Sequence, residues 1–202
     1  MTFPNWFSIT ARANFEKFLT RDAGYIDFTK PIKAVQIGVF TGDATDWMIR
    51  NLLTPQGSWV SDVDTWLGSG ETAHEGMDFA EVENEYIRRV VLAHTESKAV
   101  WNRAVKFKMT SNEFFEQNPE WLRYNFIYID GDHHTQQVFD DAANSDAVLE
   151  MGGVLAFDDF TWGDGYPAGT TPRPAIEEFM SEYGERYETL GINAQVWLRK
   201  IA

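Results

Sequence analysis

Val35-Gln36-Ile37-Gly38-Val39-Phe40-Thr41-Gly42 runs from a short apolar stretch, Ala34–Ile37, into a turn flanked by two glycines. An apolar run of that length suits a buried strand. After Gly42 the spacing becomes helical, with Trp47, Met48, Leu52 and Leu53 on one face before Pro55. Glycines in a strand-to-helix turn let the backbone approach a ligand and let the helix pack close to the strand. A dinucleotide fingerprint needs glycine where this chain has Phe40 and Asp43. Both side chains obstruct a pyrophosphate, and Asp43 also repels it.

Outward from this turn, short apolar runs alternate with amphipathic ones. Upstream, residues 8–20 predict a helix with Ser8 as its N-cap and Phe15, Phe18 and Leu19 on one face. Downstream, strands are expected at 58–63, 104–109, 126–130 and 154–157. Asp78 is expected to cap a long helix with Phe79, Val82, Tyr86, Val90 and Val91 inward. A helix over 136–149 is expected to stop at Gly152-Gly153, and another spans 175–183. Residues 187–190 and 195–199 form a closing hairpin through Gly191-Ile192-Asn193. The pattern predicts an α/β fold: a Rossmann-like, doubly wound, mainly parallel seven-stranded sheet, with an antiparallel C-terminal hairpin strand and helices on both faces. The chain reads as one domain, 1–202, with 1–33 as an N-terminal helical extension and 161–174 as a candidate substrate lid.

Composition narrows the function. With 17 Lys and Arg against 31 Asp and Glu, the net charge is −14, which disfavours nucleic-acid substrates and anionic membranes. The absence of cysteine removes disulfides, thiolate zinc sites and cysteine nucleophiles. No signal peptide or spanning segment is evident, so a cytoplasmic location is the default expectation. Nor is there a G-x-S-x-G nucleophile elbow of the hydrolase type.

The strand after the turn ends Asp62-Val63-Asp64. Asp64 stands about 20 residues beyond Gly42, where an acid accepts the hydroxyls of a ribose. Asp62 competes weakly for that role, and Trp66 offers an aromatic face to a base. A turn without room for phosphate, joined to a ribose acid, suits a nucleoside with an amino-acid tail such as S-adenosylmethionine. Farther along, Asp130-Gly131-Asp132-His133-His134 leaves the fourth strand and Asp158-Asp159 leaves the fifth. Parallel strands share one ligand-binding edge, so Asp130, Asp158 and Asp159 are expected to converge there. Three carboxylates together need a compensating cation, and oxygen ligands suit Mg2+, Ca2+ or Mn2+. Of the adjacent histidines at most one is expected to face such a site.

The set Gln36-Ile-Gly38-x-x-x-Gly42, Asp64-Thr-Trp66, Tyr128-Ile-Asp130-Gly-Asp132-His133, Gly152-Gly153 and Asp158-Asp159 resembles the class I S-adenosylmethionine-dependent methyltransferases. More narrowly it is similar to the small-molecule and sugar O-methyltransferases related to macrocin O-methyltransferase, from about Ala34 to Phe160. The resemblance implies a cofactor site formed by Gln36, Gly38, Phe40, Gly42, Asp64, Trp66, Ser111 and Asp130, with Ser111 beside the adenine. It implies a metal, Mg2+ or another hard divalent cation, on Asp130, Asp158 and Asp159. Asp132 matches the place of a general base, with His133 as the second candidate. The acceptor it implies is a hydroxylated small molecule or glycan. A metal-independent methyltransferase and a non-catalytic binding protein on the same fold are the alternatives, and homo-oligomerisation stays open. Two positions depart from the family: Gln36 replaces its usual Glu, and Asn125 a common Asp.

Overall fold

The computed structural model describes residues 3–69, 74–163, 165–167 and 169–202. Strands β1 (Lys33–Ile37), β2 (Trp59–Asp64), β3 (Ala104–Lys108), β4 (Tyr124–Ile129), β5 (Leu149–Phe157), β6 (Tyr187–Ile192) and β7 (Val196–Lys200) form one sheet in the order β3-β2-β1-β4-β5-β7-β6. Only β7 runs against the others, pairing antiparallel with both β5 and β6. The helices are α1 (Trp6–Thr10), α2 (Arg12–Phe18), α3 (Asp43–Asn51), α4 (Phe79–Glu96), α5 (Ser111–Gln117), α6 (Thr135–Val148) and α7 (Arg173–Tyr183). This is the doubly wound architecture the alternation predicts, with β1 at the point where strand order reverses.

Both faces of the sheet are covered, so the central strands are apolar on both sides. Side chains alternate between two cores, as the period of a strand requires. Phe126, Tyr128 and Trp197 face α2 and α3, while Ile127, Ile129 and Phe157 face α6 and α7. Phe15 is the hub of the first core. Its ring meets Trp47, Phe126, Tyr128 and Trp197 edge-on at centroid distances from 4.9 to 5.6 Å, an arrangement favoured by the ring quadrupoles.

Four local expectations are corrected. The N-terminal helix is two helices broken at Ala11, and Asn5 rather than Ser8 caps the first, accepting the Ser8 amide at 2.9 Å. Val91 faces solvent at 60% exposure, because the inward stripe of α4 passes through Val82, Tyr86 and Ala93. Gly152-Gly153 does not end a helix. The chain turns extended at Leu149, which pairs with Tyr124, and pairing resumes at Val154 with Phe126. Gly152 bends the intervening bulge with φ +81°. Finally, β6 runs on through Gly191 and Ile192, leaving Asn193–Gln195 to turn the hairpin.

Candidate active site

The C-terminal ends of β1 to β5 open into one cleft of about 600 Å³. On its floor lies the glycine turn. Gly38 has φ +78°, and a Cβ there would stand 1.9 Å from the Asp130 carbonyl oxygen. Gly42 has φ +78° and leaves 2.7 Å between an added Cβ and the Tyr86 ring. Thus both glycines are demanded by the protein's own packing before any ligand arrives.

Asp64 ties the turn to β2. One carboxylate oxygen accepts the amides of Val39 at 2.8 Å and Phe40 at 3.0 Å, and the other accepts the Trp66 amide at 2.7 Å. Trp66 Nε1 in turn donates to the Phe40 carbonyl at 3.0 Å. Phe40 and Trp66 both hold left-handed backbone, φ +52° and +48°, a conformation that non-glycine residues keep only when their surroundings fix it. The Trp66 ring is buried against Tyr86, with Lys106 over its face. It lines the cleft and, through its bond to the Phe40 carbonyl, braces the turn.

Beneath the turn sits a second polar layer. Gln36 is buried outside the cleft lining, its amide donating to the Gly38 carbonyl at 3.0 Å. The Thr45 hydroxyl lies 3.1 Å from Gln36 Oε1 and 3.0 Å from Asp62 Oδ1, and Tyr86 donates to Asp62 Oδ2 at 2.9 Å. Burial pushes the Asp62 carboxyl up to about 7, more than the hydrogen bonds from the Tyr86 and Thr45 hydroxyls lower it. Asn125 lies at the far end of the sheet, accepting the Lys33 amide at 2.7 Å.

Across the cleft, at the exits of β4 and β5, the acids are arranged differently from the expected trio. Asp130, His133 and Asp159 each offer one ligand atom, and these atoms lie within 4.8 Å of one another. His133 Nε2 is 2.9 Å from Asp159 Oδ2, and its ring lies on Trp162 with 4.5 Å between centroids. Asp158 does not join them. It accepts the Tyr128 hydroxyl and, at 2.8 Å, the Asp159 amide, which supports Asp159 in left-handed backbone. Burial, with the nearby charge of Asp159, raises the Asp158 carboxyl to about 6. Asp132 stays at the exposed mouth, accepting the His134 amide at 2.9 Å and pairing with its ring. The two histidines therefore face different ways.

Sequence reading missed several residues of this cleft. Trp6, Phe7 and Thr10 of α1 lie over it, with Trp6 4.7 Å from Phe40, and Phe3 also meets Phe40. Trp6 and Phe7 thus line the site, and Phe7 also packs on the first core against Phe15. His74 stacks on Phe40 and bonds Ser69 at 2.7 Å. Ser111 lies at the exit of β3, where Gln137 Nε2 reaches its hydroxyl at 3.2 Å. Asp141 was missed although it falls on the face of α6 that buries Val138, Ala142, Ser145 and Val148, the one signal available. Residues 70–73 of the loop after β2, and Asp164 and Ala168 of the expected lid, lie outside the described residues.

Residues 35–160 match the profile of a family described as a methyltransferase domain. The chain belongs to this methyltransferase family. No curated protein sequence matches it. Among solved structures, its fold is similar to an O-methyltransferase from Bacillus cereus in complex with SAH. That pair has 17% identity and a TM-score of 0.61, with 96% of this chain and 88% of that one covered. It is also similar to TomG, an O-methyltransferase from Streptomyces achromogenes in complex with SAM. There the identity is 11% and the TM-score 0.62, with coverage of 100% and 92%. Among the described residues no helix is long and apolar enough to cross a membrane.

Proposed function

We propose that this methyltransferase takes S-adenosylmethionine as donor and methylates a hydroxyl of a small molecule or sugar, in the manner of the macrocin-type enzymes, with help from a divalent cation. The observation that carries this reading is one cleft holding both an acid-braced glycine turn and, facing it, the Asp130–His133–Asp159 set. Asp64 still has lone pairs for ribose hydroxyls after accepting three amides. Gly38 and Gly42 keep the turn low enough for the methionine portion to pass. Two carboxylates and an imidazole fit a divalent cation, and the nitrogen ligand widens the choice from Mg2+ toward Mn2+. A bound cation would lower the pKa of the acceptor hydroxyl and orient its oxygen. Asp158 positions Asp159 through its amide, and Asp132, paired with His134, receives the proton at the mouth. Trp162 and the aromatics of α1 exclude water from the transfer.

A second reading is favoured by the contact between His133 and Asp159. Without metal, Asp159 orients His133 as the general base, and no cation is needed. Two measurements decide. Calorimetry with SAH is expected to show binding, and its complete absence sinks both readings. Chelation is expected to abolish turnover; undiminished turnover after chelation passes the role of base to His133.

A further inference from the structure

Gln195 is a fully buried amide in the turn between β6 and β7, and the chemistry above makes no use of it. Its Oε1 accepts Trp197 Nε1 at 3.0 Å and Asn14 Nδ2, from α2, at 2.7 Å. An indole N–H can only donate, so it fixes which end of the amide is oxygen. The amide nitrogen must then point the other way, toward the ends of β4 and β5. There Nε2 stands 3.4 Å from the Tyr128 hydroxyl and also reaches the Asp158 carboxylate. Tyr128 has one hydroxyl proton and gives it to Asp158 Oδ2. Asp158 Oδ1 accepts the Asp159 amide at 2.8 Å. The turn is also tied to this segment directly, since the Phe160 amide donates to the Ala194 carbonyl at 2.9 Å.

The donors therefore run in one direction, from Trp197 through Gln195 and Tyr128 to Asp158. We propose that Gln195 is a positioning residue for the divalent cation. It holds the Tyr128 hydroxyl and Asp158 in place, so that Asp159 keeps its carboxylate on the side of Asp130 and His133. The proposal rests on the cation reading above. Neither Gln195, Tyr128 nor Asp158 belongs to the Asp130–His133–Asp159 set, so each acts only through the next. Both oxygens of Asp158 are engaged, one by a hydroxyl and one by an amide. Freed of the hydroxyl, the carboxylate can rotate. The Asp159 amide, in left-handed backbone at φ +58°, then loses a fixed acceptor. Groups that orient metal ligands from behind set affinity by about 10–100-fold.

The test is calorimetry of the full chain with Mn2+ alone and, separately, with SAH alone. Gln195→Glu keeps the oxygen that Asn14 and Trp197 use, and puts a second oxygen where the amide nitrogen faced Tyr128 and Asp158. It is expected to weaken Mn2+ binding by about 10–100-fold, while SAH affinity holds because the glycine turn lies across the cleft. Tyr128→Phe deletes a single oxygen and breaks the next link. About a tenfold loss for Mn2+ is expected there, again with SAH unchanged, and this variant decides alone if Gln195→Glu does not fold. Mn2+ affinity that stays or rises in either folded variant overturns the proposal. So does an equal loss for Mn2+ and SAH, which is what a merely structural role gives. If wild type binds SAH but not Mn2+, the cation reading falls and takes the proposal with it, a different failure that precedes any variant.

Discussion

The two sides of the cleft carry similar acids under opposite conditions. Asp64 is surrounded by donors: three backbone amides converge on its carboxylate. Asp130 and Asp159 instead share their space with one imidazole and with each other. The first arrangement is held by the chain's own amides, and its product is a shape, the turn. The second concentrates negative charge, which a cation, a proton or a substrate would balance. Damage to the turn side should therefore cost stability and binding together. Damage to the acid side should cost turnover while leaving stability intact or improved.

The largest effect is expected at Gly38. A Cβ 1.9 Å from the Asp130 carbonyl cannot be absorbed by a side chain moving aside, because the obstacle is backbone. Gly38→Ala should lower stability by about 4 kcal/mol or more, roughly 8–16 °C in Tm, and abolish SAH binding. A variant that melts like wild type would show that the two strand exits are not locked together as described.

Next come Asp130→Asn and Asp159→Asn. Each removes one charge from the cluster, so turnover should fall by about 10²–10⁴-fold, while Tm holds or rises. Parallel losses of turnover and stability would erase the contrast between the two sides. Asp158→Asn separates contact from support. Its carboxylate holds the Asp159 amide without sharing the cluster, so a smaller loss, about 10–100-fold, is expected, with divalent-ion affinity weakened rather than abolished.

The sheet was legible in the sequence because buried parallel strands announce themselves as short apolar runs and glycines mark their exits. Position along a strand also told that Asp64, Asp130 and Asp159 reach the cleft. Orientation was beyond that reading. Asp158 and Asp159 are neighbours in sequence, yet left-handed backbone at Asp159 turns one toward Tyr128 and the other toward His133. A glycine pair after a helix looks the same whether it ends the helix or bends a strand, and Gly152-Gly153 proved the second. Asp62 and Asp64 likewise differ by where hydroxyl and amide donors fall, which depends on Thr45, Tyr86 and the turn itself.

Asp62 supplies the last prediction, and it tests whether the turn side is as settled as its hydrogen bonds suggest. In the unfolded chain its carboxyl titrates at the ordinary value of 3.8, and in the folded protein at about 7. Between those values the folded protein holds a proton that the unfolded chain has released. The stability contributed by Asp62 is thus complete below the lower value, declines as pH rises through the interval and levels off above about 7. Asp62→Asn keeps the shape and removes the titration. The offset between its thermal unfolding and that of wild type should move in its favour by roughly 4–12 °C, about 2–3 kcal/mol, between about pH 5 and about pH 8.5. Asp141 and Asp158 also have raised carboxyls, so wild type should keep part of its slope with Asp62 gone. Melting curves that stay a constant distance apart across this range would mean that Asp62 is ionised throughout and that the layer under the turn is held by charge, as the acid side is.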